Sequence, residues 1–142
     1  MSEGFKGIKI DGLWKSFARR EVIQDLHLKI DSGTFTAIVG PSGCGKSTLL
    51  RLMAGLESVT TGSLQNTFQN QTGFVFQEAN LLSWKSVLEN ILLPFELLPR
   101  FNDISRTEAR TQALQALEKV KLQDAADLFP HQLSGGMKMR VA

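Results

Sequence analysis

The chain has 142 residues, 42 % of them apolar and 21 % charged, enough for a domain with a hydrophobic core of its own. Sixteen basic residues against fourteen acidic ones leave a net charge of +2, so charge makes no case for a nucleic-acid or membrane-surface patch. The one cysteine, Cys44, excludes an intrachain disulfide and a cysteine-built zinc site, and it fits a reducing compartment.

Taken in order, Met1-Ser2-Glu3-Gly4 is polar and no apolar h-region follows, so no signal peptide is expected. Ile8–Trp14 alternates weakly, with Ile8, Ile10 and Gly12 on one face, and reads as a strand. Ser16–Glu21 is polar and basic, a turn. Val22–Ile30 alternates again through Leu26, Leu28 and Ile30 as a second strand, and Asp31-Ser32-Gly33 is a turn signal. The pair predicts an antiparallel piece with one wet face. The more apolar Phe35–Val39 then reads as a strand buried on both faces.

That strand runs into Gly40-Pro41-Ser42-Gly43-Cys44-Gly45-Lys46-Ser47-Thr48, which fits G-x-x-x-x-G-K-S, the phosphate-binding loop known as Walker A. The residue types follow from the chemistry. Phosphate oxygens need N–H donors at close range, so Gly40, Gly43 and Gly45 let the backbone wrap inward. The helix that follows, Lys46–Ala54, presents the positive end of its dipole. Lys46 brings a full charge to the outer phosphates, and Ser47 brings a hydroxyl suited to Mg²⁺, a hard ion that takes oxygen ligands. The competing reading, a glycine-rich turn matching by chance, sits poorly between a strand and a helix.

Gly55 is placed to end that helix. Ser58–Gly62 reads as a loop, Gly62–Phe68 as a weak strand, and Gly73–Phe76 as a further central strand that ends at Gln77. Beyond it Leu81, Leu82, Val87, Leu88, Ile91, Leu92 and Leu93 recur at helical spacing, interrupted by Pro94 and Pro99. Ile91–Leu98 is too short to cross a membrane. Ser105 with Glu108 is a capping-box pattern, and Ala109, Ala113, Leu117 and Val120 form an apolar stripe behind it. Helices are therefore expected from Ser86 to Asp127. Near the end, Leu133-Ser134-Gly135-Gly136-Met137 places an N-cap serine before two glycines. Glycine is a poor helix former, and two in a first turn make sense where another surface must approach the backbone.

On these motifs, in this order and spacing, the chain resembles the nucleotide-binding subunit of an ABC transporter over essentially its whole length. The resemblance implies an α/β P-loop NTPase core with an N-terminal antiparallel β piece and a helical subdomain, incomplete at the C-terminus. The β and P-loop part would span about 1–85, the helical subdomain about 86–133, and 134–142 would begin the signature helix. It implies ATP and Mg²⁺ as cofactors. Gly40, Pro41, Ser42, Gly43, Cys44, Gly45, Lys46, Ser47 and Thr48 would hold the phosphates. Lys46 and Gln77 would be the catalytic residues, and Ser47 and Gln77 the metal contacts. Ser134, Gly135 and Gly136 would bind the ATP of an opposite subunit. Phe17 would stack on the adenine, its alternative being a strand-end aromatic; Trp14 is the competing ring, with a packing role. Cys44 reads as a small loop residue, and neither His27 nor His131 is given a catalytic role. Asn80–Trp84 with Val87–Asn90, and Met137 in the signature, are similar to importers of nitrate, sulfonate and taurine. Trp84 and its apolar neighbours would meet the membrane subunit or pack the helical insert.

The implied partners are transmembrane permease subunits, a second ATPase subunit in a homodimer and, indirectly, a periplasmic or extracellular solute-binding protein, with no nucleic acid. The place would be peripheral, on the cytoplasmic face of the inner membrane. The family's Walker B strand, with its acidic pair, and its later histidine have no counterpart in the chain. An incomplete ATPase domain is therefore expected, a fragment or the product of an interrupted gene, with no hydrolysis by this polypeptide alone. Two other readings stand beside it: a non-catalytic nucleotide-binding or interaction module, and a soluble ABC ATPase of repair or translation. The absence of coiled-coil heptads speaks against the repair type.

Overall fold

The computed structural model describes residues 5–68 and 72–142, so the expectation for Met1–Gly4 lies outside the described residues. The architecture is α/β, in two compact units that divide between Phe74 and Val75.

The first unit is built on a three-stranded antiparallel sheet, β1 (Gly7–Phe17), β2 (Arg20–Asp31) and β3 (Thr61–Asn66), in the order β2-β1-β3. β1 and β2 both run further than their alternation indicates, because the turn between them is only Ala18-Arg19. Ala18 takes that tight turn at φ 51, a left-handed conformation unusual for alanine. Within β1 the inward phase changes. Ile10 is buried, but the next inward residue is Leu13 and not Gly12, and Lys15 follows it inward. The cause is a bulge: the register slips between Ile10 and Leu13, and Gly12 sits at φ 54. Gly62 of β3 closes on it from the other side. A methyl group there would lie 2.1 Å from the Gly12 carbonyl oxygen.

One helix, α1 (Lys46–Met53), packs Leu49, Leu52 and Met53 on Ile10 and Leu13 to form the core, with Ile23, Leu26, Leu28 and Leu64 against it. The helix ends as expected at Gly55, φ 73, in a Schellman motif: Leu56 N–H donates to Arg51 O and Gly55 N–H to Leu52 O.

Two expected strands do not form. Phe35–Val39 carries no ladder, and Phe35 and Val39 are 98 % and 92 % exposed. Residues 72–76 likewise form no strand, and Val75 is exposed. Both segments have strand composition, but a strand is made by a neighbour's hydrogen bonds and packing, and the one sheet among the described residues is the β2-β1-β3 sheet.

The second unit holds α2 (Val87–Leu97), α3 (Arg106–Lys119) and α4 (Gly135–Val141), with 3₁₀ turns at Pro99–Phe101, Gln123–Ala125 and Pro130–Gln132. α2 starts at a complete capping box, Ser86 with Glu89, and tolerates Pro94 at its eighth position. Ser105 caps α3 by accepting from Glu108 N–H. The stripe Ala109, Ala113 and Leu117 is buried as its spacing requires. Val87, Leu117, Leu122, Ala125 and Leu133 form this unit's own core. Asn90, buried among them, ties down the preceding loop: its Oδ1 accepts from Leu82 N–H, and its amide reaches the Leu82, Lys85 and Ser86 carbonyls.

On the wet face of the first sheet, His27 stands between two carboxylates, Nδ1 2.7 Å from Asp11 Oδ1 and Nε2 3.1 Å from Asp25 Oδ1. Carboxylates only accept, so the imidazolium is the form that serves both. The hydrogen bonds to Asp11 and then Asp25 raise the His27 pKa. A raised folded value means that its contribution to stability is full below about pH 6.5 and is lost as pH rises through the folded pKa. A His27→Gln variant should therefore flatten the pH dependence of the urea midpoint above about pH 6.5 while leaving the rest of the curve in place. Gly62→Ala, which must move the Gly12 backbone, should cost about 2–4 kcal/mol by equilibrium unfolding.

Candidate functional site

The loop from Gly40 to Gly45 is shaped by its glycines. Gly43 and Gly45 stand at φ 80 and φ 101, in the left-handed region that side chains rarely enter. They differ in what surrounds them. The space beside Gly43 is open, whereas a methyl on Gly45 would lie 3.0 Å from the Val22 carbonyl oxygen and 3.2 Å from its side chain. Gly45 therefore lets the loop lie directly on β2. Gly40 also has a close neighbour, the Cys44 sulfur, 3.0 Å from where its Cβ would stand, which gives the exposed Cys44 a packing role within the loop.

Gly45 is the N-cap of α1 and offers no side-chain cap, and Leu49 N–H is the first amide to return to it, at 2.9 Å from Gly45 O. The amides of the first turn, Lys46 to Thr48, are thus left to an external acceptor, at the positive end of the helix. Lys46 folds back over the loop: its Nζ donates to Gly40 O at 2.8 Å and Pro41 O at 2.7 Å, and lies 3.8 Å from Cys44 Sγ. Ser47 is exposed beside it. An ammonium, unclaimed first-turn amides and a hydroxyl around one turn of backbone form a donor set for an anion, and the set fits a phosphate chain with a hard cation at Ser47. A hollow of about 250 Å³ opens at the loop; Cys44, Gly45, Lys46 and Gln24 line it beside an apolar wall that includes Val22, Leu26 and Leu49.

Phe17 ends β1 and is 43 % exposed, in the same unit as the loop. Trp14 is half-buried, and Thr60 N–H donates to its carbonyl. The other candidates lie in the second unit. Gln77 is exposed at a bend, where sequence placed it at the end of a strand. Ser134 caps α4 by accepting from Met137 N–H at 3.3 Å, and the space beside Gly135 and Gly136 is open. Arg140 fastens α4 by donating to Val120 O at 2.8 Å. Trp84 is 71 % exposed, on the loop that Asn90 holds. His131 stacks on Phe129 and takes no part in the loop. Among the described residues no group of His, Cys, Asp and Glu is arranged to hold a metal. Lys15, which lies under Phe17, was missed by sequence reasoning; its only signal was its position two residues from the ring.

A glycine-shaped anion loop opening a helix, an antiparallel sheet before it and a capped Ser-Gly-Gly helix start behind a helical unit define a class. The family model for ABC transporters matches residues 23–142, and the chain belongs to that family. Among its relatives, the aliphatic sulfonates import ATP-binding protein SsuB 3 of Pseudomonas savastanoi pv. phaseolicola is 44 % identical over 141 residues, 95 % of this chain and 48 % of that protein. The aliphatic sulfonates import ATP-binding protein SsuB of Pseudomonas putida is 45 % identical over 137 residues, 92 % of this chain and 47 % of that one. The chain thus spans about half the length of the curated relatives it matches. Of solved structures, the dimeric bacterial ABC transporter cassette MJ0796 superposes with a TM-score of 0.84 at 32 % identity, covering 94 % of this chain and 66 % of that one. Its post-hydrolysis dimer, bound to ADP and Pi, superposes with a TM-score of 0.82 at the same identity and coverage.

The two left-handed glycines make a testable pair. Gly43→Ala should cost only the backbone strain, about 1–2 kcal/mol, and Gly45→Ala clearly more, because its methyl also meets Val22. Urea unfolding of both variants reads the order, and equal losses would contradict the contact.

Proposed function

We propose that this chain is the ATP-holding part of an ABC importer's ATPase subunit, and that the loop Gly40–Thr48 with Lys46 is where it holds the phosphates. The observation that carries the reading is the donor set itself: Gly43 and Gly45 in left-handed conformations, an α1 start with no side-chain cap, and the Lys46 ammonium over the loop. Lys46 exchanges its two backbone carbonyls for phosphate oxygens. Ser47 contributes an oxygen to Mg²⁺, which would neutralise phosphate charge there. Phe17 gives the adenine a ring face. Gln77 is the remaining metal and water contact on this reading.

Ser134, Gly135 and Gly136 serve the ATP of a second subunit, a role supported by the open space beside both glycines and by the dimeric cassettes that the fold resembles. Closure of the pair on ATP would then drive permease subunits between inward- and outward-facing states, with the chain peripheral on the cytoplasmic side of the membrane and a solute-binding protein engaged only indirectly. The similarity to sulfonate importers supports a small sulfonate-like solute. Among the described residues no helix is long and apolar enough to cross a membrane. To residues 1–142 we assign nucleotide binding.

The experiment is equilibrium binding of Mg-ATP to the chain and to its Lys46→Ala variant. Loss of the charged hydrogen bonds should weaken binding about tenfold to a hundredfold. Equal affinities for the two would remove the loop from the reading.

A further inference from the structure

Lys15 is the buried charge of the first unit, only 6 % exposed, and the bulge at Gly12 is what turns it inward. A buried ammonium must find partners for three N–H groups. Two are oxygens in the segment after α1: Nζ donates to Glu57 Oε2 at 3.1 Å and to Ser58 O at 2.8 Å. The third partner is an aromatic face, for Nζ lies 4.5 Å from the centroid of the Phe17 ring. A cation at that distance is held by the ring's negative face, and holds the ring in turn.

We propose that Lys15 is a positioning residue for Phe17: it occupies one face of the ring and leaves the other for the nucleotide base. This rests on the reading that Phe17 stacks on adenine. The arrangement has two consequences. The cation draws electron density from the ring and so strengthens stacking of an electron-rich base on the opposite face. The anchors, Glu57 and Ser58, follow directly from α1, whose first turn belongs to the phosphate loop. One helix thereby sets both the phosphate loop at its start and, through Lys15, the ring at its end. A purely structural lysine would fasten β1 to that segment without regard to the base.

The two cases separate when base and phosphates are read apart. Dissociation constants for Mg-ATP and for inorganic tripolyphosphate, which has the phosphates and no base, are measured by calorimetry on the full chain and on Phe17→Ala, Lys15→Met, Lys15→Arg and Glu57→Gln. Lys15→Met should weaken ATP about threefold to tenfold and leave tripolyphosphate unchanged, and Lys15→Arg, which keeps a cation on the ring, should restore most of the loss. Should Lys15→Met fail to fold, Glu57→Gln, which loosens the same ammonium, reads the same quantity with a smaller loss confined to ATP. Losses shared equally by ATP and tripolyphosphate, or no loss in ATP, overturn the proposal. If Phe17→Ala weakens ATP alone while neither Lys15→Met nor Glu57→Gln does, the positioning role fails and the stacking reading survives. If Phe17→Ala leaves ATP unchanged, or the unaltered chain holds ATP no better than tripolyphosphate, the stacking reading fails and takes the proposal with it.

Discussion

The first unit depends on two backbones passing closer than any side chain would allow. Gly12 and Gly62 meet where β1 and β3 cross the bulge, and a methyl on Gly62 would have to share space with the Gly12 carbonyl. Because they can meet, β1 slips by one residue and its inward phase moves from Ile10 to Leu13. Leu13 then closes the core against Leu49 and Leu52, which fixes α1, and α1 in turn carries the Gly40–Gly45 loop at its N-terminus. Without the slip, Lys15 would face water and Phe17 would end a strand whose other face was set differently. The position of that loop is thus downstream of a glycine pair at the far side of the core.

The parts of this structure that were legible in the sequence are those in which a residue type answers a local demand. Gly43 and Gly45 stand at left-handed φ in a tight loop, where glycine is the residue that carries no steric penalty. Gly55 ends α1 and Ser105 starts α3 for equally local reasons. The stripe Ala109, Ala113 and Leu117 is legible because helical spacing alone buries it. The complete capping box at Ser86 is equally local, spelled out by Glu89 three residues on, whereas Ser105 makes only the half that accepts from Glu108 N–H.

What was not legible belongs to neighbours. Strict alternation put Gly12 inside, since nothing in β1 itself announces that a glycine of β3 will press on it. Phe35–Val39 and Gly73–Phe76 have the composition of central strands, yet strand composition is a statement about surroundings that pack on both sides. Lys15 is the sharpest case. A lysine in an alternating strand reads as a solvated charge, and only the positions of Glu57, Ser58 and the Phe17 ring make it a buried one.

The way Lys46 folds back over its own loop bears on the thermodynamics of whatever anion arrives there. Its ammonium holds the Gly40 and Pro41 carbonyls, so the side chain is tied to the backbone of its own loop. If the proposal holds, binding would be a trade of acceptors, with little freezing of a flexible arm: the ammonium would give up two neutral carbonyl oxygens for charged ones, at small conformational entropy. On the proposed reading, a guest offering several charged oxygens at once would replace that contact more readily than a monovalent one, so the contact would sort guests by valence.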